Sequence, residues 1–141
     1  MLILMQKNAA SGDACSHNTP LYDAIGMGIA KINAQATDGD NVLVTIITDG
    51  QENCSVEYDL RMIKNLIEKL KKQHWTFTFI GIGTDDLDVE GISHSMVIDN
   101  HLQFTQDEEG TRAMFQKGCC SRMRFNERLS EDSAMAPGSY F

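Results

Sequence analysis

The sequence predicts an α/β protein, a Rossmann-like and mostly parallel sheet flanked by helices, and three observations carry that expectation. Val42–Thr48 (VLVTIIT) is apolar or β-branched without a break, as a strand buried on both faces of a parallel sheet reads. Trp75–Ile82 (WTFTFIGI) is a second strand of the same kind. Stretches with apolar residues at helical spacing precede the first strand and separate the two, so helix and strand alternate. Alternation of this kind implies parallel units joined by right-handed crossovers.

Taken in order, residues 1–5 (MLILM) suit a short strand, and residues 6–18 are small and polar, a loop. Thr19 and Pro20 mark a helix start, Thr19 at the N-cap and Pro20 at the first helical position, where its missing N–H costs nothing. Leu21, Ile25, Ile29 and Ile32 share one face of a helix over 21–34, and Gly26 and Gly28 are expected to allow a neighbouring strand to approach. After a turn at 35–41 comes the core strand, which runs directly into Asp49 and Gly50.

Ser55 is a suitable N-cap for a helix over about 56–73, with Leu60, Ile63, Ile67 and Leu70 as its buried stripe. Glu57 and Asp59 then fall in its first turn and Lys69, Lys71 and Lys72 in its last, which suits the macrodipole; the lysines read as a solvated face. Beyond the second strand, residues 84–101 are acidic and irregular, with room for one short helix, and residues 102–105 suit a brief third strand. Thr105 and Glu108 fit a capping box for a helix over about 106–123, in which Ala113, Met114 and Phe115 supply apolar contacts. The domain organisation is then a strand and loop remnant at 1–18, one partial domain at 19–129 and a polar, disordered tail at 130–141.

The 141 residues carry a formal net charge of −8, which disfavours nucleic acid and anionic membrane surfaces as partners. No apolar run approaches a membrane span, and MLILM lacks the features of a secretory signal, so a cytoplasmic setting is expected. Cys15, Cys54, Cys119 and Cys120 form no C-x-x-C pair and read as free thiols. The four histidines show no ligand spacing, the eight methionines read as core filler, and Trp75 as packing.

The chemistry-bearing feature is the Asp49-Gly50 strand end. Ligands of open α/β sheets bind beyond the carboxyl ends of the strands, which is where Asp49 stands. Thr19 starts the preceding helix and would face the same crevice if that helix packs beside the strand. A hydroxyl and a carboxylate, with water, are hard oxygen ligands of the kind Mg²⁺ accepts.

Residues 18–29 (NTPLYDAIGMGI) and 42–58 (VLVTIITDGQENCSVEY) resemble motifs of von Willebrand factor type A domains, most closely the small stand-alone microbial ones. Residues 75–83 (WTFTFIGIG) and 104–110 (FTQDEEG) look like the next strand and last helix of that subfamily, so the resemblance spans roughly 18–123. It implies a binding module and not an enzyme. Thr19 and Asp49 match the threonine and aspartate of the metal-ion-dependent adhesion site, which holds Mg²⁺ or Mn²⁺ and takes an acidic side chain from a protein partner.

One family element is missing. No D-x-S-x-S string, which in the family ends the first strand and supplies three further ligands, occurs here; residues 13–17 (DACSH) come nearest and read as loop. Two ligands hold Mg²⁺ weakly or not at all, since the ion keeps most of its waters. The same absence would leave residues 42–48 with a bare sheet edge. Covers for it are MLILM, a homo-oligomer or another partner; alternatively the chain is a truncated piece of a longer protein or starts at a misplaced position, and truncation is the expectation. The competing readings are an interaction domain that binds no metal, and a metal-dependent hydrolase using Asp49 with the acidic loop of Asp85, Asp86 and Asp88.

Overall fold

The computed structural model describes residues 2–6, 20–83, 87–105 and 107–131. Within them the elements are, in order, β1 (Leu2–Gln6), α1 (Leu21–Asn33), β2 (Val42–Thr48), α2 (Leu60–Lys71), β3 (Trp75–Ile82), α3 (Val89–Ser95), β4 (Asn100–Phe104) and α4 (Glu108–Glu131). The strands form one sheet in the order β1-β2-β3-β4, and all three pairings are parallel. The fold is thus α/β, a parallel sheet flanked by helices, consistent with a Rossmann-like arrangement.

β2 is not an edge. Leu2 pairs with Val44 and the register runs on to Gln6 with Thr48, while on its other side Val42 pairs with Trp75 and Thr48 with Gly81. Leu2–Gln6 supplies the cover. Of the covers expected for the edge at 42–48, the N-terminal strand is the one found, and the backbone on both sides of β2 is paired.

Alternate residues of the sheet point to opposite faces, and the two faces are unequal. Val44 and Ile46 of β2 and Phe77 and Phe79 of β3 join Leu21, Ile25 and Ile29 of α1 and Ile63, Ile67 and Leu70 of α2 in the main core. Leu87, Val89, Met96 and Ile98, in and around α3, complete it. Full burial of each such side chain stabilises the fold by about 1.5–3 kcal/mol. Trp75 is buried in the same core, stacked on Phe77 with ring centroids 6.2 Å apart, as its packing role requires.

The opposite face carries a smaller cluster, Ile47 and Ile80 with Met114 of α4, flanked by Ile82 and Phe104. Buried Thr45 and Thr78 satisfy each other there, hydroxyl to hydroxyl at 3.0 Å. Sequential strands joined by same-handed crossovers put α1, α2 and α3 on one face and leave α4 for the other. Strand order does not reverse beside β2, so the end of this strand is not the topological switch point that opens a crevice in doubly wound sheets.

Several element boundaries differ from expectation, each for a local reason. α2 begins at Leu60 and not at 56, with Asp59 as N-cap accepting from the Met62 N–H at 2.7 Å. Glu57 and Asp59 therefore lie outside its first turn. α4 is capped by Asp107, which accepts from the Gly110 N–H at 2.6 Å, and not by Thr105. It runs on to Glu131, past the expected end at 123 and into the expected tail, because residues 124–131 contain no Gly or Pro to stop it. The rest of the expected tail lies outside the described residues. Phe115 is 56% exposed and supplies no core contact; Met114 does.

Lys71 is the exception to the solvated lysine face. Its ammonium donates to the Val97 carbonyl and to Asp99 Oδ2, the latter at 2.8 Å, tying the end of α2 to the turn before β4. Among the described residues no helix is long and apolar enough to cross a membrane.

Candidate functional site

Thr48, the last residue of β2, is fully buried and shapes the turn at the strand's end. Its hydroxyl donates to the Gly50 carbonyl at 2.9 Å and accepts from the Gly50 N–H at 3.2 Å, which folds the chain tightly around Asp49. Gln6, Thr48 and Gly81 are in register, so the strand ends are level at this point. The exit of β3 lies close by: a Cβ placed on Gly83, whose φ is +156°, would be 3.9 Å from the Asp49 carbonyl oxygen.

Asp49 is half-buried, and its Oδ1 is shut off from solvent with no hydrogen-bond partner among the described residues. A carboxylate oxygen in that condition raises the free energy of the fold, since buried polar atoms are nearly always paired. A hard cation is one group that would satisfy it.

Thr19 lies outside the described residues, as do Asp85, Asp86 and the DACSH string at 13–17. The helix that Thr19 precedes is described, and its start differs from expectation. Pro20 stands at the N-cap instead of the first helical position, and no side chain at the cap bonds the helix. The N–H groups of the first turn are instead satisfied from the loop after β2. Tyr22 N–H donates to Glu52 Oε2 at 2.8 Å, and Asp23 N–H donates to Ser55 Oγ at 3.1 Å.

The exchange is reciprocal. Glu52 also accepts from the N–H groups of Cys54 and Ser55, at 2.9 and 2.7 Å, and from the Ser55 hydroxyl at 2.7 Å. Asp23, on α1, accepts from the N–H groups of Val56, Glu57 and Tyr58 at 2.8, 2.9 and 2.7 Å. These bonds hold residues 54–58 as a loop against α1, and α2 starts after them at Leu60 with Asp59, and not Ser55, as its cap.

Electrostatics mirror the bonds. The Asp23 carboxyl is held below its usual range by the Val56 N–H first; desolvation opposes this, and the Tyr58 and Glu57 N–H groups add to the lowering and decide the direction. For Glu52, burial opposes ionisation most strongly of any single cause. The bonds from the Ser55 hydroxyl and the N–H groups of Ser55, Tyr22 and Cys54 together outweigh it and lower the pKa. Burial raises the Tyr22 phenol, and the Glu52 charge adds to that.

Gly26 completes the joint between helix and loop. A Cβ there would stand 2.5 Å from ring atoms of Tyr58, so the close approach that this glycine permits is to the loop and not to a strand. The start of α1, where Thr19 stands in the chain, and the loop that begins with Asp49 thus form one hydrogen-bonded unit at the carboxyl edge of the sheet.

Elsewhere, Asp88 is engaged in a structural task, capping α3 by accepting from the Gly91 N–H at 2.8 Å. Sequence spacing missed one pair: His94 of α3 and His101 of β4 meet edge to face with ring centroids 6.1 Å apart, and His101 Nδ1 is buried without a hydrogen-bond partner among the described residues. Helix and strand positions seven apart give no spacing signal for such a contact. No group of three or more His, Cys, Asp or Glu suited to a metal occurs among the described residues, and there Cys54, Cys119 and Cys120 form no disulfide.

No family model matches the chain, and no curated protein and no solved structure matches it either. The likeness to von Willebrand factor type A domains therefore rests on the residue strings themselves.

Proposed function

We propose that the chain is a protein-interaction module of the von Willebrand factor type A kind. In this reading Asp49, together with Thr19, forms an incomplete site for Mg²⁺ or Mn²⁺. The observation that carries the reading is the buried Asp49 Oδ1, without a partner among the described residues, at the carboxyl end of β2. The latch between α1 and the 52–58 loop supports it, because it joins the segment after Thr19 to the segment after Asp49. A cation held by two protein oxygens keeps most of its waters, and an acidic side chain from a partner would fill an open position. Catalysis has no part in this reading.

A second reading is favoured by one observation. Val56 is 90% exposed on a loop that Asp23 holds rigid, an apolar contact point that works without any cation. A metal-free module would bind its partner through this surface alone.

Calorimetric titration with Mg²⁺ and Mn²⁺ separates the two. The metal-site reading expects heat of binding and a rise in Tm for the native chain, both lost in Asp49→Ala. Absence of heat and of a Tm shift leaves the metal-free module as the surviving proposal.

A further inference from the structure

Asp-Gly occurs twice in the chain, at Asp38-Gly39 and at Asp49-Gly50, and the fold treats the two steps differently. Asp38 and Gly39 form the apex of an exposed turn between α1 and β2. The turn is closed below them: the Asp40 N–H donates to the Thr37 carbonyl at 3.1 Å, and the Thr37 N–H and hydroxyl both donate to Asp40 Oδ2 at 2.8 Å. Among the described residues nothing bonds the Asp38 carboxylate or the Gly39 N–H. Gly39 takes a φ of +99°, positive as the third residue of a type II turn requires, and a Cβ placed on it would meet no atom within 4 Å. At the other step the Gly50 N–H donates to the Thr48 hydroxyl at 3.2 Å, that hydroxyl donates to the Gly50 carbonyl at 2.9 Å, and Asp49 Oδ1 is closed off from solvent.

We infer that Asp38-Gly39 is a site of spontaneous isoaspartate formation, and that the hydrogen-bonded turn after β2 spares Asp49-Gly50 the same reaction. The Gly39 backbone nitrogen attacks Cγ of the Asp38 side chain in its acid form. The N–Cγ bond forms, the bond from Cγ to its hydroxyl breaks, and the hydroxyl leaves as water with the amide proton. Water then adds to the Asp38 backbone carbonyl carbon of the cyclic imide and breaks its bond to the Gly39 nitrogen, which regains a proton. The chain now runs through Asp38 Cβ and Cγ, and an α-carboxylate is left free. The 37–40 turn admits this because Gly39 has no side chain to crowd the attack, its N–H has no bond to break, and the space around the apex is open to ring closure and to water. At Asp49-Gly50 the ring closes only if the bonds between Thr48 and Gly50 are given up. The product lengthens an exposed turn outside the paired residues of β2, so the sheet register is kept. Its free α-carboxylate is the group that an S-adenosylmethionine-dependent isoaspartyl methyltransferase esterifies, which makes the aged chain a substrate for that class of repair enzyme. None of this depends on a cation at Asp49.

The full chain, aged at neutral pH in chelator beside a sample kept unfolded in guanidinium chloride, tests this. Isoaspartate is read at each step by peptide mapping with electron-transfer fragmentation, and in total by methyl transfer from labelled S-adenosylmethionine with an isoaspartyl methyltransferase. In the unfolded sample the two steps isomerise at comparable rates. In the folded chain Asp38 keeps a rate close to its unfolded one, whereas Asp49 slows by about tenfold, the factor that one or two hydrogen bonds supply. Asp38→Asn passes through the same imide with loss of ammonia and raises isoaspartate at that position, and Asp38→Ala removes most of the methyl acceptance of the aged folded chain. The position is exposed, and circular dichroism confirms that both variants fold. Equal rates at the two steps in the folded chain overturn the proposal, as does a folded rate at Asp38 suppressed as strongly as that at Asp49. So does methyl acceptance that Asp38→Ala leaves unchanged, or an Asp38→Asn chain that gains no isoaspartate there.

Discussion

Asp23 and Glu52 each cap the segment that the other belongs to: the α1 carboxylate holds the N–H groups of 56–58, and the loop carboxylate holds the N–H of Tyr22 in α1. Asp23 does not cap its own helix, and Glu52 also holds the N–H groups of Cys54 and Ser55 in its own loop. Their positions are 29 apart in the chain, so the pair works as a tertiary latch that orients the loop carrying Asp49. Because Glu52 accepts four bonds, Glu52→Ala should cost about 1–3 kcal/mol in urea unfolding. Since Asp23 holds the same joint, the double substitution with Asp23→Ala should cost less than the sum of the two single ones.

Acid should open the latch. Both carboxyls have folded pKa values below their ordinary ones, so their stabilisation is complete above the ordinary carboxylate range and disappears as pH falls through the lower folded values. Tm is expected to hold from neutral pH down to the ordinary range and to drop below it. Glu52→Gln should flatten part of that drop; a Tm profile identical to that of the native chain would show that the latch is not what titrates.

Gly26→Ala sets two effects against each other. Alanine is the better helix former by about 1 kcal/mol, but its Cβ would stand 2.5–2.6 Å from three atoms of the Tyr58 ring, including the one that joins the ring to its Cβ. Rotation at the ring's far end cannot relieve that contact, and overpacking of this kind costs about 1–3 kcal/mol. The net expectation is destabilisation, with faster amide exchange at residues 56–58.

Lys71 restrains a strained residue. Val97 is β-branched and has a φ of +59°, and the ammonium of Lys71 holds its carbonyl and Asp99. The ion pair is largely solvent-exposed on the Asp99 side and contributes little by itself. Lys71→Met should cost about 1 kcal/mol, mainly through the carbonyl bond. Exchange should quicken at 96–99 and stay unchanged at the Asp49 loop.

Asp49→Asn separates folding from ligand binding. With chelator present, the substitution removes an unsatisfied charge and should leave stability equal or raise it by about 1 kcal/mol. In millimolar Mg²⁺ the native chain should regain the advantage. A clear loss of stability in chelator would mean that Asp49 has a structural task in the fold.

Much of the architecture was legible in the chain. Unbroken apolar runs at Val42–Thr48 and Trp75–Ile82 and the stripe of Ile63, Ile67 and Leu70 announce buried strands and an amphipathic helix, and those patterns survive because burial enforces them. Boundaries failed where distant groups intervened. Ser55 has the chemistry of a cap, but Asp23 and Glu52 take the N–H groups around it, and no local rule contains a partner some thirty residues away. MLILM was too short to read as more than a candidate strand, yet its pairing with β2 decides whether that strand is central. At the site, Asp49 was legible from its place after the strand. Its unpaired oxygen was not, since solvent exclusion depends on what the neighbouring strand ends and loops do.

The central claim is that a cation sits on Asp49, and Mn²⁺ broadening of amide resonances locates it directly. At substoichiometric Mn²⁺ the account predicts that Gly50, Gly83 and Tyr22 lose intensity first, that His101 and the end of α4 keep theirs, and that Asp49→Ala abolishes the pattern. Broadening centred on the His94 and His101 pair, or none that Asp49→Ala removes, would contradict it.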